Sequence, residues 1–126
     1  MTDIERNRQI VVDFYTGAFG NDPEQAVKDH LGDHYIQHNP QAADGAEAFL
    51  GFVRRIKTAF PAARLTVKRV VAEGDLVVTH SEMTLVPGQP GQALADFFRV
   101  EDGKVVEHWD VIQPVPTESA NSNGMF

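Results

Sequence analysis

The sequence predicts an α+β domain: three helices followed by four long antiparallel strands, in which a curved sheet wraps the helices. Apolar residues recur near helical period through the first sixty positions. At Pro61 the period changes to strict alternation. Each of the two alternating stretches is then broken midway by an acidic residue and a glycine, the chemistry of a tight turn.

Thr2 and Glu5 have the spacing of a capping box, and Ile4, Val11, Phe14, Tyr15, Ala18 and Phe19 then form an apolar stripe until Gly20. Residues 3 to 19 are thus a first amphipathic helix. "NDPEQAVKDHLG" supplies Asp22 as N-cap and Pro23 as first helical residue, and closes at Gly32. "DGAEAFLGFVRRIKTAFP" repeats that grammar, with Asp44 and Glu47 as cap partners, Phe49, Phe52, Val53, Ile56 and Phe60 on one face, and Pro61 as terminator. A short strand is expected near Tyr35. "RLTVKRVVAEGDLVVTHSEMTLV" reads as two strands joined at Glu73, Gly74 and Asp75, and "QALADFFRVEDGKVVEHWDVIQ" as two more joined at Asp102 and Gly103. The tail "PVPTESANSNGMF" is polar until Met125 and Phe126, an apolar end that either frays or docks on its own subunit or a neighbour.

A chain of 126 residues is the size of one domain, residues 1–126, with room for a single core and a pocket. Hydrophobic residues at 42% and charged residues at 23% are ordinary globular proportions. The net charge of −7 repels phosphate backbones and anionic lipid, so neither nucleic acid nor membrane is an expected partner. There is no cysteine, which excludes disulfides, thiolate nucleophiles and cysteine metal sites. With no signal-peptide pattern and no apolar run of spanning length, the cytoplasm is the expected compartment. No GxSxG, Walker or dinucleotide motif is present.

The chemistry concentrates in "VEDGKVVEHWDV". Side chains two apart on a strand share a face, so His108 and Asp110 point one way and Trp109 the other. Whether Asp96 joins them depends on the turn. A two-residue type I′ turn at Asp102 and Gly103 pairs Glu101 with Lys104 and sets Asp96 opposite Trp109. A type I turn with Gly103 in a G1 bulge pairs Val100 with Lys104 and sets Asp96 opposite His108. The second arrangement is favoured, because it puts Phe98, Val106 and Ile112 on one face with Asp96, His108 and Asp110, an apolar wall interrupted by three titratable groups. Carboxylates side by side in apolar surroundings cannot both ionise cheaply, so a proton donor and acceptor coexist there, and an imidazole extends the relay. His38 and Asn39 in the turn "YIQHNP", and His80 in the middle of "LVVTHSEM", are candidates for the same cavity, with Tyr35 and Phe52 as further lining residues. A metal site from His38, His80 and His108 has no supporting spacing motif, so neither metal nor cofactor is expected.

The helices, "YIQHNP", "EGDLVVTHSEM", "DFFRVEDGKVVEHWDVIQPVP" and "SANSNGMF" together resemble the SnoaL-like family of the nuclear transport factor 2 superfamily. The resemblance covers nearly the whole chain and is most specific in the last hairpin. It implies a cone-shaped α+β barrel with a deep pocket and an outer sheet face that commonly forms a dimer, here through Trp109. It also implies cofactor-free acid–base chemistry on a small apolar carbonyl compound, such as aldol cyclisation, isomerisation or dehydration. Asp110 matches the general acid/base, and His108, Asp96, His38 and His80 match residues lining the pocket. A non-catalytic ligand-binding domain, or a hydrolase using the same groups, is the alternative.

Overall fold

The computed structural model describes residues 1–126. Helix α1, Asp3–Ala18, starts with the anticipated capping box: Glu5 N–H donates to Thr2 Oγ1 and Thr2 N–H to the Glu5 carboxylate. Helix α2, Pro23–His30, is capped by Asp22, whose carboxylate accepts from Gln25 N–H. It ends two residues before Gly32, because Leu31 already starts strand β1, Leu31–Gln37. Helix α3, Ala46–Ala59, departs from the expected cap: Gly45 is its N-cap and no side chain caps it. The Asp44 carboxylate accepts instead from Gln37 N–H at 2.8 Å, and Gly45 N–H donates to Tyr35 O. The residue expected to start a helix finishes a strand.

Strands β2 (Arg64–Glu73), β3 (Leu76–Thr84), β4 (Gln92–Glu101) and β5 (Lys104–Pro114) form the predicted antiparallel meander. The sheet order is β1-β5-β4-β3-β2, curved and unclosed, so that β1 and β2 are its two edges. β1 is a full seven-residue strand, and it pairs with β5 in parallel, which the wholly antiparallel expectation missed. No helix is long and apolar enough to cross a membrane.

The β4–β5 register differs from both readings of the turn. Asp102 and Gly103 have φ values of 52° and 76°, a type I′ turn, and Glu101 pairs with Lys104. The bulge lies further along: Val100 pairs with Val105 but Arg99 with Glu107, leaving Val106 as the extra residue. Past it, Asp96 stands opposite Asp110, and Phe98 opposite His108. One inserted residue restores the parity that the favoured register predicted, so Asp96, Phe98, His108 and Asp110 do share a face. Val106 is the exception, since Val105 takes its place in the core. Both valines are buried; Val106 packs where a Cβ on Gly32 would come within 2.9 Å of it. Glycine there lets the two chains approach.

The inner sheet face and the helices enclose one apolar core, built from Val11, Phe14, Tyr15 and Ala18 of α1, Phe49 and Val53 of α3, and Val77, Met83, Leu94, Phe98 and Val105 of the sheet. Phe98 is its hub, with ring centroids 5.1 Å from Tyr15 and 6.3 Å from Phe14, both edge-on. Met125 and Phe126 return to the outer face. Phe126 lies 5.7 Å from the His80 ring, with Lys68 Nζ 5.6 Å from its own centroid, so the tail docks on its own subunit.

Candidate active site

Five side chains on the inner face and the β1 end meet at the centre of the site. His108 Nε2 is 2.7 Å from Asp96 Oδ1, and its Nδ1 is 2.7 Å from Gln37 Oε1. Asp110 faces Asn39, whose amide Nδ2 donates to both carboxylate oxygens at 3.1 and 2.9 Å. Asp110 Oδ2 and His108 Nε2 are 3.9 Å apart, beyond hydrogen-bond reach. Asn39 is itself held, since its Oδ1 accepts from Gln41 N–H at 2.8 Å. Strand pairing explains the convergence: Gln37 sits beside His108 in the parallel β1–β5 ladder, and the turn after it swings Asn39 over Asp110.

Burial governs the electrostatics. Asp96 is wholly buried, which pushes its carboxyl pKa up, while the hydrogen bond and charge of His108 pull the other way. A hydrogen bond from the Tyr15 hydroxyl lowers it further, while the hydroxyls of Thr79, directly opposite Asp96 on β3, and Ser81 have no hydrogen-bond partner. Tyr15 and Tyr35 are both pushed up by burial first. The Asp96 charge adds to this at Tyr15, and a hydrogen bond from Gln37 opposes it at Tyr35.

The cavity above these groups is lined by Tyr15, Tyr35, Phe49, Phe52, Phe98 and Ile112 among others, with Gln37, Asn39, His108 and Asp110 as its polar side. Its volume is about 60 Å³. That is well below the roughly 150 Å³ of an apolar cavity that takes benzene, so the depth expected from the resemblance is not present in this conformation. Asn39, Gln92, Asp110 and Ile112 also line an outer vestibule of about 350 Å³ with Pro40, Gln41 and Pro114. Asp110 therefore stands at the neck between an apolar inner space and a polar outer one.

Of the anticipated residues, Asp110, His108, Asn39, Tyr35, Phe52, Phe98 and Ile112 line the cavity. Asp96 lies behind His108 and joins the site through it. Two histidines are elsewhere. His38 turns outward, stacked on Trp109 at 4.8 Å and paired with Glu107 at 2.8 Å. His80 is also on the outer face, because Thr79 and Ser81 take the inward positions of β3; it contacts Arg69 and Phe126. Neither reaches the pocket. Gln37 and Gln92 were not anticipated, although strand alternation through Tyr35 and Gln37 was a signal for the first. Asp96, His108 and Asp110 offer ligand atoms within 4.8 Å of one another, but the His108 ring already uses both nitrogens on Gln37 and Asp96.

An α+β fold whose curved sheet holds buried acid–base groups against an apolar cavity defines a class of small pocket proteins. Residues 11–108 match the model of the SnoaL-like domain, and the chain belongs to that family. No curated protein matches it in sequence. Among solved structures, TsrD from Streptomyces laurentii superposes with a TM-score of 0.74 at 24% identity, over 89% of this chain and 91% of that one. A candidate ketosteroid isomerase from Kribbella flavida gives 0.73 at 23% identity, over 98% and 87%. A candidate SnoaL-like polyketide cyclase from Jannaschia sp. gives 0.71 at 22%, over 89% of each. At these identities the likeness establishes the fold alone.

Proposed function

We propose that this protein is an acid–base enzyme that moves a proton alpha to the carbonyl of a small, largely apolar compound, with Asp110 as the proton acceptor and donor. The observation that supports it most is the position of Asp110: a carboxylate held by Asn39 at the neck of an apolar cavity, with a buried Asp96–His108 pair beside it. A cavity of about 60 Å³ admits only the reacting end of a substrate, and the vestibule takes the remainder. The Tyr35 hydroxyl accepts from Gln37 and keeps its own proton free, which suits it to hydrogen-bond a developing enolate oxygen. Family relationship and the neighbours named as a polyketide cyclase and a ketosteroid isomerase favour cyclisation, isomerisation or dehydration through that step.

Deuterium wash-in from D₂O at the alpha carbon of small ketones and β-diketones, followed by NMR, tests this without knowledge of the natural substrate. Asp110→Asn is expected to slow exchange by about 10²–10⁴-fold with the fold retained. Undiminished exchange in the variant removes Asp110 from the role. The small cavity favours a second reading, a non-catalytic ligand-binding domain, in which wild type shows no exchange above buffer. A hydrolase using Asp110 to activate water would show product oxygen labelled from H₂¹⁸O.

The partner we propose besides the ligand is a second copy of the chain, across the outer sheet face. Leu76, Phe97 and Trp109 line an apolar concavity there, and Val111 beside it is 68% exposed. Sedimentation of wild type against Trp109→Glu tests it, the variant being expected to run as a monomer.

A further inference from the structure

The Gln37 carboxamide is the most connected side chain of the site. Its Oε1 accepts from His38 N–H and Asn39 N–H, each at 3.0 Å, and faces His108 Nδ1 at 2.7 Å. Its Nε2 lies 3.2 Å from the Tyr35 hydroxyl. Backbone N–H groups only donate, so the atom facing two of them must be the oxygen; the flipped amide would set donor against donor twice. An amide oxygen carries no proton, and the proton of the His108 contact therefore belongs to Nδ1. That leaves Nε2 at 2.7 Å from Asp96 Oδ1, a contact that needs one proton between the two atoms. Either a neutral carboxyl donates to a neutral ring, or an imidazolium donates to a carboxylate. Both forms hold the same number of protons.

We infer that Gln37 is a positioning residue: it fixes the Nδ1–H form of His108 and so commits Nε2 to a proton shared with Asp96, while its amide N–H turns the Tyr35 hydroxyl proton toward the cavity. His108 then presents no free nitrogen to a ligand. It acts through the shared proton, and direct contact with the reacting atoms falls to Asp110 and Tyr35. The tautomer exists whether or not the site turns over a ketone, so this inference is independent of the proposed reaction.

Nitrogen NMR of the full chain labelled with ¹⁵N-histidine reads the tautomer directly, the His108 signals being those absent from His108→Gln. At neutral pH, wild type is expected to show a proton bound at Nδ1 by its one-bond coupling. Gln37→Leu is expected to release it and to populate the form protonated at Nε2 alone, with Nδ1 moved to the unprotonated region. Gln37→Glu, whose carboxylate still accepts, is expected to retain Nδ1–H, which keeps the test valid should the leucine variant fail to fold. A bare Nδ1 in wild type, its loss in Gln37→Glu, or an unchanged tautomer in folded Gln37→Leu overturns the assignment.

Discussion

Strand β5 supplies one member to each of two histidine–carboxylate pairs on opposite faces of the sheet, and they differ little in length. Inside, His108 meets Asp96 at 2.7 Å; outside, His38 meets Glu107 at 2.8 Å. Their electrostatic outcomes are opposite. Burial drives the Asp96 carboxyl up in spite of its partner. Hydrogen bonds from His38 and then Arg99 hold the Glu107 carboxyl down, with water still within reach of the half-exposed His38. Contact distance does not decide protonation here; solvation does. The inner pair can keep a proton for chemistry, whereas the outer one is a solvent-reached hydrogen bond that also supports the Trp109 ring.

Truncating each pair is the strongest way to break that contrast. His108→Ala takes from the wholly buried Asp96 its hydrogen bond to the ring and removes a ring 4.9 Å from Phe98, so a loss of about 3 kcal/mol or more is expected in urea unfolding. His38→Ala should lose less than about 1 kcal/mol, since exposed pairs contribute little. Equal losses would mean that the two faces are solvated alike.

The pH dependence sharpens the same comparison through its sign. With a raised folded pKa, Asp96 contributes stability that is fully present below the ordinary carboxylate value and is lost as pH rises through its folded pKa. With a lowered folded pKa, Glu107 contributes stability present above the ordinary value and lost as pH falls through its own. In unfolding titrations from acid to neutral pH, Asp96→Asn should therefore gain on wild type as pH rises, and Glu107→Gln should fall behind it. Slopes of the same sign would remove the distinction. The smallest effect is expected at Thr79, buried opposite Asp96 with an unpartnered hydroxyl. Thr79→Val should be neutral or stabilising by up to about 1 kcal/mol by thermal melt; a clear loss would show that the hydroxyl does have a partner.

What could be read in the sequence was local. The Thr2 and Glu5 box, the Asp22–Pro23 start, the meander and the shared face of His108 and Asp110 all depend on neighbours a few positions apart, whereas Asp96 joins that face only through the bulge at Val106. What failed was decided by distant chain. Asp44 is a good N-cap by itself but is claimed by the end of β1, and the bulge sits at Val106 because Val105 is taken by the core while Gly32 makes room for the second valine. His38, in a polar turn, and His80, in the middle of a strand, were candidates for the pocket because buried polar residues at such places want partners. Alternation with Thr79 and Ser81 sends one outward, and the turn beyond Gln37 sends the other onto Trp109. Gln37 escaped notice because alternation with Tyr35 could set it on the inner face but could not show the His108 ring beside it, which comes from parallel pairing.

That parallel pairing of β1 with β5 has a consequence for how the chain matures. Gln37 and His108 lie 71 positions apart, and no hairpin can bring them together. The meander from β2 to β5 can zip up turn by turn, but β1 must wait for the last strand to be made before it finds its edge. A chain still emerging from the ribosome thus has no partner strand for β1, and no Gln37 beside His108, until β5 has been made.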